Sequence, residues 1–330
     1  MVFSIMRQML FSLGIIIAGM SIGYALQRLV RAGIIKADPS LGRARKYLQR
    51  ISLLLFLPLA NMGAIWIFQI DTLRLLFLPV LGFLAIVAGA AASLGIGKFL
   101  NFDTARRGAL FSTGTMSNLG SVGTLVVFIT LGEAGYAMVP VYRLFELFTY
   151  YGICFPIAKS FSSQAASQVG SRGRVLSLFV DPFVLVTLFS LGTGLVLNLA
   201  GVGRPAFYGP LNSILVPLAS LLLLMSIGMA MRFGRIGAYM KEAFIVAGIK
   251  YLIIPAAVVG SAALLGYGSI YGGLPLKVVL ILSAMPVGFI AMVPPSIYKL
   301  DVDLANAAWL VTTLLLALVI PLQILLIGLV

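Results

Sequence analysis

Apolar runs of about twenty residues, separated by short segments that hold most of the charge, recur along the whole of this 330-residue chain. A run of that length matches the hydrocarbon thickness of a bilayer at about 1.5 Å of helical rise per residue. Ten are predicted, at about 3–26, 51–69, 74–97, 107–131, 137–158, 176–200, 210–231, 241–266, 275–298 and 304–329. Hydrophobic residues make up 61% of the chain and charged ones 10%, with a mean hydropathy of +1.11. Such a composition excludes a water-soluble domain. The sequence therefore predicts an all-α polytopic membrane protein, with the lipid bilayer as its first partner.

The net charge of +14 does not point to nucleic acid, which requires a basic face on a soluble domain. Here the basic residues sit between the apolar runs. Most of the 23 lysines and arginines fall on one side, among them Arg28, Arg31, Arg43, Arg45, Lys46, Arg50, Arg106, Arg107, Arg172, Arg174 and Lys241. Arg7, Arg74, Arg143, Arg204 and Lys277 fall on the other. By the positive-inside rule both termini face outwards from a plasma or inner cell membrane. With no histidine and one cysteine, Cys154, neither a disulfide nor a metal or haem site is expected, and no cofactor is predicted.

Two of the runs are poorly built for continuous helices. In 107–131, Gly114, Gly120 and Gly123 alternate with Thr113, Thr115, Ser117, Asn118, Ser121 and Thr124. In 277–300, Met285 is followed by Pro286, Val287 and Gly288, and then by Pro294 and Pro295. Proline inside a helix removes a hydrogen bond and clashes with the preceding turn. Irregular backbone survives at bilayer depth only where protein buries it or a wet cavity borders it, and paired broken helices mark carrier sites. The competing reading is that the small residues serve close helix packing.

A Ser/Gly/Gln-rich basic linker at 159–174 divides the chain into halves of five runs each, 1–158 and 175–330. An odd number of runs per half forces opposite orientations. Leu57-Pro58-Leu59-Ala60-Asn61 matches Val216-Pro217-Leu218-Ala219-Ser220, and Met116 and Leu131 match Met285 and Leu300 at one common offset. The expectation is a ten-helix architecture of two inverted five-helix repeats, with helices four and nine broken.

Arg143 and Glu146 are the chemically most demanding residues. Counted from Ala137, Glu146 lies roughly 13 Å deep at about 1.5 Å per residue, where a charge is costly and a functional role is the default hypothesis. Three readings stand open. The two could neutralise each other as an i,i+3 pair. Arg143 or the helix N-termini could bind a substrate carboxylate while Glu146 carries a proton. Or Glu146 could balance a cation such as Na⁺ held by Asn118 and backbone carbonyls. Asn61 and Ser220 face a cavity or bond across helices. Tyr142 lines the pocket or lies in an interfacial belt. Asp181 and Lys250 are placed near span ends, where they snorkel, and Asp301 and Asp303 cap the last helix.

The stretch GTMSNLGSVGTLVVFITLGEAG resembles the fourth helix of the auxin efflux carrier family, and residues 283–321 resemble that family's ninth and tenth helices. IIIAGMSIGYALQRLVRAGII and LLLFLPLAN are similar to its first two. The resemblance implies a homodimeric ten-helix carrier of organic anions, carboxylates above all, with helices four and nine crossing at midplane, moving a transport domain against a scaffold of helices one, two, six and seven. It places the substrate around Ser117, Asn118, Gly120 and Gly123 on one side and Met285, Pro286 and Val287 on the other. Three features depart from the family pattern: Gly123-Thr124-Leu125 where a proline follows the glycine, Arg143-Leu-Phe-Glu146 where asparagines are frequent, and SIYKLDVD after the ninth helix. The rival readings are a sodium-coupled symporter of the related bile-acid type and a membrane enzyme. The latter lacks any evident nucleophile with a base. The coupling ion expected of a carrier is H⁺ or Na⁺.

Overall fold

A computed structural model describes residues 2–34, 40–68, 72–162, 181–231 and 236–329. Most of the 159–174 linker therefore lies outside the described residues. Eight helices among those described are long and apolar enough to cross a membrane: Leu10–Arg31, Leu41–Trp66, Leu73–Phe99, Leu119–Ser160, Pro182–Leu199, Tyr208–Gly228, Ile236–Leu264 and Val302–Ile327. Shorter helices at Thr104–Thr115 and Leu274–Ser283 belong to the two runs read as broken.

Two boundaries differ from expectation. The basic segment Ser40–Ile51, read as loop, is a helix that runs on into the second span. Its arginines, leucines, lysine and glutamine are good helix formers, and continuing the helix satisfies its backbone without a loop. The fifth run is not continuous: the helix reaches Tyr142, passes through a turn, and resumes at Glu146. Pro140 sits inside the helix just before this interruption and supplies no N–H to it.

The chain forms two compact units. One is built from the described residues of 1–69, 120–140 and 181–232, the other from those of 70–119, 141–180 and 233–330.

In the first unit the helices Val2–Arg31 and Tyr208–Gly228 pack closely. A Cβ on Gly23 would stand 2.1 Å from the Met225 carbonyl oxygen, and one on Gly228 would stand 2.2 Å from that of Met20. The two matched proline segments meet, since Leu57 packs on Ala219 and Leu223. Polar side chains close the helix ends. Asn198 Nδ2 donates to the carbonyls of Ile65, Trp66 and Phe68, Trp66 Nε1 donates to Val202 O, and Asp181 accepts from Phe183 and Val184 as an N-cap. Asp181 thus caps a helix where the sequence suggested snorkelling. Gly132, at φ 67°, breaks the helix between the fourth and fifth runs, a conformation that costs a residue with a Cβ. The next residue, Glu133, receives a two-pronged donation from Arg204 at 3.0 and 2.7 Å and a third hydrogen bond from Asn212 at 2.7 Å.

In the second unit Asp103 caps Thr104–Thr115, and Asp301 caps Val302–Ile327 by accepting from Leu304 N, as its position after Leu300 predicts. Arg106 joins the two ends, 3.4 Å from Asp103, 3.9 Å from Asp301 and 3.5 Å from Glu242. Ala243, Ala307 and Val311 form a small core beside this cluster. Four π turns occur among the described residues, at Ser52–Phe56, Leu119–Gly123, Tyr150–Cys154 and Ile249–Ile253. Such turns insert one residue into a helix and gather at functional sites.

Candidate functional site

The helix Thr104–Thr115 runs to Thr115 and stops there. The hydroxyls of Ser112, Thr113 and Thr115 donate back to carbonyls of the preceding turn, and Met116 leaves the helix with an extended backbone. The helix Leu274–Ser283 ends ahead of Pro286 in the same way that helices generally stop before proline. The two extended pieces run antiparallel and pair as a single β-bridge, Ser117 with Val287. Asn118 N donates to Pro286 O at 2.8 Å, and Gly288 N donates to Met116 O at 2.9 Å. The freed backbone of each break is thus partly satisfied by the other, as an environment without water demands. Val287 N is satisfied separately, by Thr312 Oγ1 at 3.2 Å from the last helix.

Gly288 permits the approach. A Cβ there would lie 2.6 Å from Ser117 O, too close for any larger residue without moving the backbone.

Of the residues singled out from sequence, Ser117, Asn118, Met285, Pro286 and Val287 come together at this bridge. Tyr142, Arg143 and Glu146 lie in the same unit. Arg143 Nε donates to Glu146 Oε2 at 2.6 Å, the i,i+3 pair, with Glu146 buried. Tyr142 is also buried, and its hydroxyl has no hydrogen-bond partner among the described residues. Gly120, Gly123, Asn61 and Ser220 belong to the other unit. The two glycines sit in the π turn that follows the break. Asn61 accepts from Tyr136 Oη at 2.6 Å, the bond across helices. Ser220 is fully buried with an unpartnered hydroxyl.

The structure adds residues the sequence reading passed over. Lys250 is 0% exposed, which corrects its assignment as a snorkelling residue near a span end. It stands in the π turn Ile249–Ile253, and its Nζ donates to Ser117 Oγ at 2.9 Å. Tyr150, the first residue of another π turn, accepts from Ser117 N through its hydroxyl at 3.0 Å. Glu146 and Arg143 lie within electrostatic reach of that hydroxyl, which links the ion pair to the bridge. Tyr251 donates to the carbonyl of Thr312, and so fixes the helix that serves Val287. Compared with protein-family models and with curated proteins, the chain matches none.

Proposed function

We propose that this chain is a secondary-active transporter of small organic anions, carboxylates above all, working by alternating access. The observation that carries the reading is the bridge between two broken, apolar-flanked helices at Ser117 and Val287. A membrane protein whose helices served only as structure would have no reason to keep extended backbone there. Helix ends converging on such a point present partial charges to a ligand.

In this reading the long helices, together with Thr104–Thr115 and Leu274–Ser283, make ten spans in two inverted repeats, and the resemblance to auxin efflux carriers supplies the substrate class. The interleaved units support movement of the elevator type, because runs one, two, six and seven share the first unit and the bridge belongs to the second. A homodimer with both termini outside completes the proposal. The second reading, a sodium-coupled symporter of the bile-acid type, rests on the same architecture and differs in requiring Na⁺.

Transient currents from reconstituted protein on a solid-supported membrane test both. A panel of mono- and dicarboxylates applied at two pH values, with and without Na⁺, is expected to give a saturable current without Na⁺. Currents seen only with Na⁺ favour the symporter, and silence towards every carboxylate rejects the anion reading.

A further inference from the structure

Resting on that transport reading, we infer that Lys250, Ser117 and Tyr150 form the subsite for the substrate's carboxylate, with Lys250 as a fixed cation that makes a co-bound Na⁺ unnecessary.

The first argument is a count of donors. A lysine ammonium carries three N–H donors and no acceptor, and among the described residues Lys250 has one acceptor, Ser117 Oγ. Two donors remain. The Ser117 hydroxyl accepts from Lys250, and the Tyr150 hydroxyl accepts from Ser117 N; neither has an acceptor for its own proton among the described residues. The two spare ammonium donors and the two hydroxyl protons, four donors in all, therefore lack an acceptor among the described residues. A carboxylate, with two oxygens and about four lone-pair directions, is the complement of that arrangement.

The second argument is charge. Buried charges in proteins are paired or bind ions. Glu133 is matched by Arg204, Glu146 by Arg143, and Glu242 by Arg106. Lys250, the most buried of the charged side chains described, has no carboxylate within ion-pair distance among the described residues. The titratable groups facing it are few. Cys154, one π turn away from Tyr150, is the one within electrostatic reach. Tyr251 follows it on its own helix and is turned towards Thr312. The packed helices Leu78–Phe99 and Ile254–Leu264 carry no acidic residue, and Glu242 of Met240–Gly248 is taken by Arg106. An ionised Lys250 therefore has no compensating anion among the described residues, and a substrate carboxylate would supply one.

The third argument is access. Lys250 and Tyr150 are buried, whereas Ser117 is partly exposed. The serine is the open side of the subsite. A Na⁺ ion placed here would meet an ammonium instead of a carboxylate, and the Met116 and Pro286 carbonyls nearest to hand already accept backbone N–H groups.

The test uses full-length protein in liposomes on a solid-supported membrane, with acetate, lactate, malate and indole-3-acetate as probes, comparing wild type, Lys250→Met and Lys250→Arg. Methionine suits the volume, and replacing a buried charge by an apolar side chain is often neutral for stability; a monodisperse gel-filtration peak confirms folding. The expected result is a wild-type current unaffected by Na⁺, a KM raised at least tenfold or a lost current in Lys250→Met, and partial recovery in Lys250→Arg. A wild-type current with an unchanged KM in Lys250→Met overturns this subsite and leaves the transport reading intact. So does a wild-type current that depends on Na⁺, a measurement that holds even if the variants fail to fold. No anion current from wild type overturns the transport reading, and the subsite with it.

Discussion

Lys250 and Glu146 illustrate how a residue's meaning depends on what stands opposite it. The depth arithmetic that marks Glu146 applies equally to Lys250: counted from Lys241, it too lies about nine residues in, or roughly 13 Å. The signal was in the sequence: the run read as 241–266 begins where the helix does, at Met240, and a residue about nine positions in is not at a span end. What the sequence could not show is the partner. Glu146 has an arginine three residues away on its own chain, legible as an i,i+3 spacing, whereas the lysine meets Ser117 from a distant part of the chain. Arg143 Nε and Glu146 Oε2 stand 2.6 Å apart, and we take the neutralised pair as the reading to test. Glu146→Gln is therefore expected to lower stability by about 1–3 kcal/mol, since it leaves a partly buried guanidinium without its anion. Its anion current should keep its pH dependence. Arg143→Met with Glu146→Gln should cost less than the two single changes together, a coupling that thermal unfolding in detergent measures. A current in Glu146→Gln that no longer responds to pH would make this residue the proton carrier after all.

The broken elements were legible as broken, but not where. The glycines and hydroxyls of 113–124 suggest a long irregular stretch; the helix in fact persists through Gly114 and Thr115, and the extended backbone is confined to Met116–Asn118. The hydroxyls of Ser112, Thr113 and Thr115 are satisfied by carbonyls four residues back, so none of them obliges the helix to end where it stands. Pairing across the chain, not local composition, decides the boundary. Proline and glycine at 286 and 288 made the second break easier to read. Gly288→Ala places a Cβ 2.6 Å from Ser117 O and should push the two extended pieces apart. Overpacking of this kind costs about 1–3 kcal/mol. The variant is expected to fold, with a lower unfolding temperature, and to lose the carboxylate current. Retention of a wild-type current would show that the bridge is dispensable.

Across the whole molecule, composition determined the class of protein, an all-α chain with helices long and apolar enough to cross a membrane, because burial in lipid leaves so few alternatives. The grouping of those runs was not readable from hydropathy. Both halves of the chain contribute to each unit, and 120–140 joins a different unit from the 107–119 stretch that precedes it. Grouping depends on side-chain bonds between remote segments, such as Glu133 with Arg204 and Asn212, which no periodicity records. The orientation proposed from the basic residues is open to a direct check. In a Cys154→Ser background, a cysteine at exposed Arg43 should react with a membrane-impermeant thiol reagent only after permeabilisation of cells. One at exposed Ser269 should react in intact cells. Labelling of both from the same side would invalidate the assignment.

The π turns at Tyr150–Cys154 and Ile249–Ile253 each hold one residue more than the helix around them needs. Removing a single codon at either would let the backbone relax to a regular helix, with everything beyond it keeping its register. The side chains between would swing by about 100°. Lys250 and Tyr150 would then turn away from Ser117 without any change to their identities. Single-residue insertions and deletions, more than substitutions, are thus the route by which related chains could gain or discard this charge, and length differences at these two turns are where to look for a change of cargo.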